Sequence, residues 1–176
     1  MLGAVQGEAA ARGLANIRTV AGAAERLPFD DNSFGLVVSR FSAHHWRDIE
    51  QGLREVRRVL AAGAPAIFVD VAAPDLRAAD THLQAIELLR DPSHVRDYSR
   101  REWLGMLGEA CFSLSSVSAG RLRMSFASWI ERMSVPPARS AAIRELQALA
   151  SQEVAEHFAI EPDGSFTLDT LTIEAG

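Results

Sequence analysis

The densest group of side chains capable of chemistry is the segment SRFSAHHW, at positions 39–46. It follows the apolar run FGLVVS, which predicts a buried strand. In open parallel sheets, ligands bind beyond the carboxyl ends of such strands. Histidine, arginine, serine and aromatic side chains there would supply a proton acceptor, an anion contact and an apolar wall. Alternatively, Trp46 and one histidine pack the start of the next helix, and these residues alone leave both interpretations open.

The adjacent pair His44 and His45 is the first choice for acid–base catalysis. An imidazole with an unperturbed pKa of about 6.5 accepts a proton near neutral pH. The other histidines are far apart in sequence, and adjacent residues point away from each other in most conformations, so we expect no metal site. Asp70 ends a second apolar run, where we expect it to cap the following turn or, alternatively, to contact substrate.

Composition and missing motifs exclude several kinds of chemistry. All 18 basic residues are arginine, which rules out Schiff-base formation and a P-loop lysine. The sequence has no GxG loop, GxSxG elbow, HExxH zinc motif or EF-hand loop. A net charge of −5 gives no reason to expect a nucleic-acid partner. A single cysteine, Cys111, and the lack of an apolar run of ~20 residues predict a cytoplasmic protein without a membrane partner.

Two apolar strands separated by an amphipathic helix predict the fold class. The strands are residues 34–39 and 66–71, both expected to be buried on both faces, and the helix between them is residues 48–60. Such a βαβ unit implies parallel strands and a right-handed crossover, and therefore an α/β fold. Upstream, residues 3–12 are predicted to form a helix ended by Gly13, and residues 16–22 (NIRTVAG) another strand.

The rest of the chain is predicted to continue as one domain over residues 1–176. A helix over 75–90 is followed by the capping box SRRE, which starts another helix at position 99. The remaining predicted elements are a strand over 111–119, a short helix over 126–133, a longer helix from Pro136-Pro137 through Phe158, and a final strand over 165–174 with a bulge at its one-residue slip. The helical stretch 122–160 is predicted to be a cap inserted before that last strand.

The order of these segments resembles a known family. Residues 20–46 (VAGAAERLPFDDNSFGLVVSRFSAHHW), the helix LREVRRVLAAG and the strand APAIFVDV are similar to the class I S-adenosylmethionine-dependent methyltransferases, especially the small-molecule branch that includes quinone-biosynthesis enzymes. The resemblance covers about residues 1–120 and extends to the final strand. It implies a Rossmann-like sheet and methyl transfer from S-adenosylmethionine to a small molecule, in which the protein mainly aligns donor and acceptor and excludes water.

The resemblance also implies roles for individual residues. Contact with the cofactor is implied for Gly22, Ala23, Ala24, Glu25 and Leu27 around the adenine, and for Ser39, Arg40 and Phe41 beside the methionine portion. His44, His45 and Trp46 would face the methyl acceptor, with His45 or His44 as the base. From their position in the sequence, His82, His94 and Tyr98 are expected to be solvated or to pack in the fold or, alternatively, to line an acceptor pocket under the predicted cap.

Compared with this family, the chain is expected to begin inside the domain, as a truncated form. The family's first strand, glycine-rich loop and second strand precede the segment that residues 1–12 resemble. We therefore expect a bare edge on the strand 34–39, covered either by NIRTVAG or by a second copy of the chain in a homodimer. A second functional hypothesis is a non-catalytic methyltransferase-fold protein that binds no cofactor and acts through self-association or partner binding.

Overall fold

A mixed five-stranded sheet organises the computed structural model, which describes residues 2–176. Its strands are β1 (Val37–Arg40), β2 (Ala66–Ala73), β3 (Tyr98–Ser99), β4 (Leu114–Met124) and β5 (Phe166–Ala175). Their order is β1–β2–β5–β4, and β3 pairs with the carboxyl end of β2. β1 and β2 are parallel, whereas β5 runs antiparallel to β2 and β4. The α/β prediction with parallel first strands is confirmed.

Helices cover both faces of this sheet. The covering helices are α2 (Ile49–Val59), α3 (Arg77–Arg90), α4 (Arg100–Glu109), α5 (Phe126–Glu131), α6 (Pro137–Ala148) and α7 (Gln152–His157), whereas α1 (Leu2–Ala11) contributes no residue to the apolar clusters on the sheet. On β2, Ala72 belongs to an apolar cluster with α2 and α4, while Val71 and Ala73 belong to another with α3 and α5–α7. Because neighbouring strand residues point to opposite faces, the two clusters lie on opposite sides of the sheet.

The last strand changes its buried face partway along, which corrects the predicted bulge in it. Phe166 and Leu168 pack into the cluster of α3 and α5–α7, whereas Leu171 and Ile173 pack into the cluster of α2 and α4. The pairing of β5 with β2 is continuous, and the one register shift of the β4–β5 pair lies between Leu114 and Ser116. The one-residue slip in the apolar pattern therefore marks the point in β5 where the buried face changes from one side of the sheet to the other.

Three other predicted elements differ in the structure. NIRTVAG forms no strand and does not pair with β1. The prediction that this segment covers the edge of β1 is therefore wrong. The predicted long helix is broken between α6 and α7, because the Ser151 side chain accepts a hydrogen bond from Val154 N and starts a new helix. Residues 122–124, assigned to the cap, belong to β4, since its pairing with β5 extends to Met124.

β1 is also less buried than its apolar sequence predicts. Leu36 is 49% exposed and Val38 is 57% exposed. Within residues 2–176, β1 pairs only with β2, so its other edge carries no strand. No helix in this part of the chain is both long enough and apolar enough to span a membrane.

Candidate functional site

A tight turn directly after β1 places the histidine pair. Phe41 has a φ of +47°, a left-handed conformation that bulky residues rarely adopt, and its N–H bonds to Val69 O at 2.8 Å. The next two N–H groups, of Ser42 and Ala43, donate to Asp70 Oδ2 at 3.1 and 2.9 Å. Asp70 lies in β2 just beyond the last residue paired with β1. It therefore caps the turn after β1, rather than the turn after its own strand.

His44 is held in this turn by the same aspartate. Its Nδ1 lies 2.6 Å from Asp70 Oδ1 and 3.8 Å from Asp97 Oδ1. Burial acts to lower the pKa of His44, but the hydrogen bond with Asp70 and the negative charges of Asp70 and Asp97 outweigh it, so the pKa is raised. The positively charged form of His44 is thus favoured more than that of a free histidine.

His45 differs from His44 in exposure and in its hydrogen bonds. Its side chain is 34% exposed, compared with 14% for His44. Its Nδ1 lies 3.2 Å from the carbonyl oxygen of Ser93. Because a carbonyl oxygen only accepts hydrogen bonds, Nδ1 carries the proton, and the lone pair of a neutral His45 is on Nε2.

The loop of residues 91–97, between α3 and β3, packs against the histidine turn. Val95 N and Arg96 N both donate to His44 O, at 2.8 and 3.2 Å. Gln84 of α3 ties the loop down, because its Oε1 accepts from Asp97 N and its Nε2 donates to Asp97 O. The loop therefore brings acidic side chains behind the histidines.

Two side chains of this loop are buried without complete hydrogen bonding. Asp97 is 1% exposed, and its Oδ2 has no hydrogen-bond partner among the described residues. Burial, and next the charge of Glu87, raise the pKa of Asp97 well above its usual value. His94 Nδ1 is likewise without a partner, and burial, with the charges of His44 and His45, lowers the pKa of His94 to about 4.

A crevice with a volume of about 430 Å³ runs along β1, all four residues of which line it, and reaches Ser42 beyond the carboxyl end of the strand. It contains five of the eight residues expected to bind the cofactor, together with Trp46, expected to face the acceptor. Its lining residues are Gly22, Ala24, Leu27, Val37, Val38, Ser39, Arg40, Ser42, Trp46 and Val56. Ser39 Oγ is buried there with no hydrogen-bond partner in the described part of the chain. We call this space the β1 crevice.

Two residues of α2 hold one wall of the β1 crevice in place. Glu55 accepts a hydrogen bond from Leu27 N at 2.8 Å. Arg58 donates to Leu27 O and Phe29 O, and also pairs with Glu55. The hydrogen bond from Arg58 lowers the pKa of Glu55. These contacts hold the backbone of Leu27 and Phe29, which belong to the segment predicted to contact the adenine.

The other residues with implied cofactor roles lie outside the crevice lining. Glu25 accepts hydrogen bonds from Arg47 N and Asp48 N at 2.7 and 3.2 Å, so its carboxylate holds the start of α2. Phe41 packs against the cluster of α3 and α5–α7, and the Arg40 guanidinium carbon lies 4.6 Å from its ring centroid. Ala23 forms an isolated bridge with Arg26. Their cofactor roles stay predictions.

The residues with implied acceptor roles do not meet in one pocket. Trp46 lines the β1 crevice, whereas His82 stacks 5.7 Å from Phe158, at α7. Tyr98 packs 6.4 Å from Trp103, and burial raises its pKa. A second crevice of about 540 Å³ lies past the end of β2, and its lining contains none of these three residues. It includes Pro74, Leu76, Arg100, Arg121, His157 and Asp169.

Apart from Asp70, the acidic side chains near the histidines were not singled out from the sequence. Glu87 could have been noticed, because it lies four residues after Leu83 on the buried stripe of α3. Asp91 and Asp97 gave no such signal. They lie in an irregular loop, where no periodicity indicates which side chains are buried.

Comparisons with known proteins agree with this architecture. Residues 1–68 match the model of a methyltransferase domain family. The chain is 46% identical to the uncharacterized protein YafE of Escherichia coli over 175 residues, covering 99% of this chain and 84% of YafE. It is 36% identical to YcgJ of Bacillus subtilis, an uncharacterized methyltransferase, over 85% of this chain and 59% of that protein. A demethylmenaquinone methyltransferase of Chlorobaculum tepidum is 39% identical over 59 residues, which are 34% of this chain and 24% of that enzyme.

The crystal structure of YcgJ superimposes with a TM-score of 0.93 at 33% identity, covering 99% of this chain and 77% of the other. Sheet, crevice and sequence together define a protein of the Rossmann-like methyltransferase class. The chain belongs to the class I S-adenosylmethionine-dependent methyltransferase family. The resemblance seen in the sequence is thereby confirmed.

Proposed function

We propose that this protein transfers the methyl group of S-adenosylmethionine to a small molecule. The observation that carries the proposal is the β1 crevice at the carboxyl end of a parallel strand, where α/β proteins bind nucleotide-like ligands. When bound, S-adenosylmethionine supplies a sulfonium methyl group. The protein's own residues would align the acceptor with that group and keep water away.

The residues of the β1 crevice fit a nucleoside-containing cofactor. Gly22 and Ala24 present little or no side chain along one wall of the crevice. Ser39 Oγ is a buried hydrogen-bonding group without a protein partner, as expected of an atom that bonds a ligand. Leu27 and Trp46 add apolar surface for a base.

Binding of S-adenosylhomocysteine, measured by calorimetry, tests this assignment. We expect a dissociation constant in the micromolar range, about −8 kcal/mol. Ser39→Leu, which fills the crevice, should weaken binding at least about tenfold, or ~1.4 kcal/mol. Ser118→Leu, an exposed position on β4, is the matched control and should bind normally. No heat at millimolar ligand would instead support a non-catalytic protein.

A small-molecule acceptor is supported by the relatives and by the charge. The demethylmenaquinone methyltransferase acts, by its name, on a small molecule, and the net charge of −5 does not suit nucleic acid. Labelled methyl groups from S-adenosylmethionine should enter the low-molecular-weight fraction of a cell extract. Label found only in protein or RNA would contradict this acceptor class.

We propose His45 as the proton acceptor of the reaction. With Nδ1 donating to Ser93 O, the lone pair of neutral His45 is on Nε2, 3.9 Å from Asp91 Oδ2, and His45 is the more exposed histidine of the pair. His45 Nε2 would take the acceptor's proton as the acceptor's electron pair displaces the sulfonium sulfur from the methyl carbon, so that sulfur leaves with the electrons of the broken bond. His44 is bound to Asp70 and would hold the turn that positions His45.

A further inference from the structure

We propose that His44, Asp70 and Asp97 bind one first-row divalent transition-metal ion such as Mn²⁺ or Zn²⁺. One nitrogen and two carboxylate oxygens of these residues lie within 4.8 Å of one another, and both aspartates are buried. The inference goes beyond the proposed methyl transfer and does not depend on it. It departs from the expectation, based on sequence spacing, that the histidines form no metal site, because the other proposed ligands come from β2 and the 91–97 loop.

The spacing of the three side chains suits a single ion. Ligand atoms that bind one ion at about 2.1 Å lie about 3.4 Å apart in a tetrahedral arrangement. His44 Nδ1 is 2.6 Å from Asp70 Oδ1 and 3.8 Å from Asp97 Oδ1, which brackets that separation. Small side-chain rotations would therefore bring all three onto one ion, with the imidazole proton of Nδ1 released to solvent.

The buried carboxyl group of Asp97 lacks hydrogen-bond partners within the part of the chain that the structure describes, which is the observation that points to a bound ion. Its side chain is 1% exposed, its Oδ2 has no hydrogen-bond partner among residues 2–176, and its other oxygen points toward His44 at 3.8 Å. A buried carboxyl group without hydrogen bonds is costly in free energy. A cation bound between Asp97 and His44 would contact Oδ1 and offset part of that cost, while His94 Nε2 lies 4.0 Å from Oδ2.

The charges around the site favour a dication. Asp70 and Asp97 are both buried; His44 faces both of them, and His94 Nε2 lies 4.0 Å from Asp97 Oδ2. The neighbouring arginines are engaged elsewhere: Arg90 pairs with Glu87, and Arg96 pairs with Asp80 and Glu102. A divalent ion with a neutral imidazole would balance the charge of both carboxyl groups in their ionised forms.

The surroundings of Asp70 are those of a carboxylate prepared to bind metal. Its Oδ2 accepts hydrogen bonds from two backbone N–H groups, of Ser42 and Ala43, which fix the orientation of Oδ1. Metal-binding carboxylates are commonly held in this way by a second layer of hydrogen bonds. The mixture of imidazole and carboxylate suits Mn²⁺ or Zn²⁺, whereas Ca²⁺ takes six to eight oxygen ligands.

Titration with Mn²⁺, followed by the electron paramagnetic resonance signal of the free ion, tests the site in the whole chain without S-adenosyl ligand. We expect one saturable site with a dissociation constant below about 1 mM. Asp97→Asn should weaken binding at least about tenfold. Asp169→Asn removes the acid of another histidine–aspartate pair, 2.9 Å from His157, and as matched control should bind like wild type.

The outcomes distinguish a specific metal site from the absence of one. Zn²⁺ should compete with Mn²⁺, and Mn²⁺ should raise the thermal midpoint of wild type but not of Asp97→Asn. If Asp97→Asn does not fold, His44→Gln gives the same comparison. No saturable binding of Mn²⁺ or Zn²⁺, or equal binding by wild type and the folded variant, overturns the proposal. Calorimetry with S-adenosylhomocysteine is unaffected by these results, so the proposed function stands or fails separately.

Discussion

At the level of single residues, the two adjacent histidines have different environments although they share one turn. His44 is bound to a buried aspartate, and His45 donates from Nδ1 to a backbone carbonyl. A repeated residue type in sequence therefore does not mean a repeated role. The roles of the two histidines differ because their hydrogen-bond partners, Asp70 and Ser93, come from two different segments of the chain.

Replacement of His45 tests its role as base. His45→Gln should lower the methyl-transfer rate by about 10²–10⁴-fold, because proton transfer by a positioned side chain contributes about that much. The affinity for S-adenosylhomocysteine should not change, because His45 does not line the β1 crevice. Rate is measured as label transferred to the small-molecule fraction. A full rate in His45→Gln together with a large loss in His44→Gln would assign the base to His44 instead.

We predict that position 52 must be glycine, because the Trp46 ring packs directly against its backbone. A Cβ at position 52 would lie 2.5 Å from Trp46 Cε3, and the residue is within α2. Gly52→Ala should destabilise the fold by about 1–3 kcal/mol from overpacking, reduced by up to ~1 kcal/mol of helix propensity. Denaturant unfolding measures this change, and displacement of Trp46 should also alter its fluorescence.

The matched control for Gly52 is a glycine with free space. Gly105 lies within α4, and an added Cβ there would meet nothing within 4 Å. Gly105→Ala should therefore stabilise the protein by about 0.5–1 kcal/mol. If both alanine variants stabilise the fold equally, Trp46 does not pack on Gly52 as described.

At the level of elements, helix α2 fixes the loop that forms one wall of the β1 crevice. The lowered pKa of Glu55 means that its ionised form stabilises the fold above the unfolded-state pKa, and that this contribution is lost as the pH falls through the folded-state value. Glu55→Gln should cost about 1 kcal/mol at neutral pH. It should also reduce the loss of stability in acid, measured by denaturant titrations at both pH values. An unchanged acid response would contradict this role.

The exposed edge of β1 leads us to propose that two copies of the chain associate there. Leu36, directly before β1, and Val20 of the preceding loop are each 49% exposed, and neither lines the β1 crevice. Unpaired apolar edges promote strand pairing between chains. Size exclusion with light scattering should show a dimer for wild type and a monomer for Leu36→Lys. Leu149→Lys, at an exposed leucine between α6 and α7, should remain dimeric. A monomeric wild type would contradict the proposal.

At the level of the whole molecule, cofactor binding should be coupled to folding stability. The β1 crevice combines β1, α2 and the loop from Gly22 to Leu27, which come together only in the folded chain. S-adenosylhomocysteine at about 100 times its dissociation constant should therefore raise the free energy of unfolding by about 2.7 kcal/mol. Thermal unfolding at several ligand concentrations measures this coupling. A midpoint independent of ligand would indicate that the crevice does not bind it.

Much of the fold was predictable because its signals are local. The stripe of α2, the capping box at Ser99 and the glycine after α1 each depend on residues within one or two turns. Strand NIRTVAG was wrongly predicted because β-branched residues favour a strand only where a neighbour is available to pair. The prediction of one continuous helix through Phe158 was wrong because Ser151 caps a new helix, although the apolar stripe continues across the break.

The sequence by itself determined the α/β class, the methyltransferase family and the position of a histidine turn after β1, because strand order and motif order are encoded along the chain. The tertiary structure decided which of these residues line a common crevice, which histidine keeps a free lone pair and which acids stand behind the pair. Those properties depend on side chains 26 or more residues apart, such as His44 and Asp70. The burial that sets their charge exists only after the sheet and the 91–97 loop have packed together.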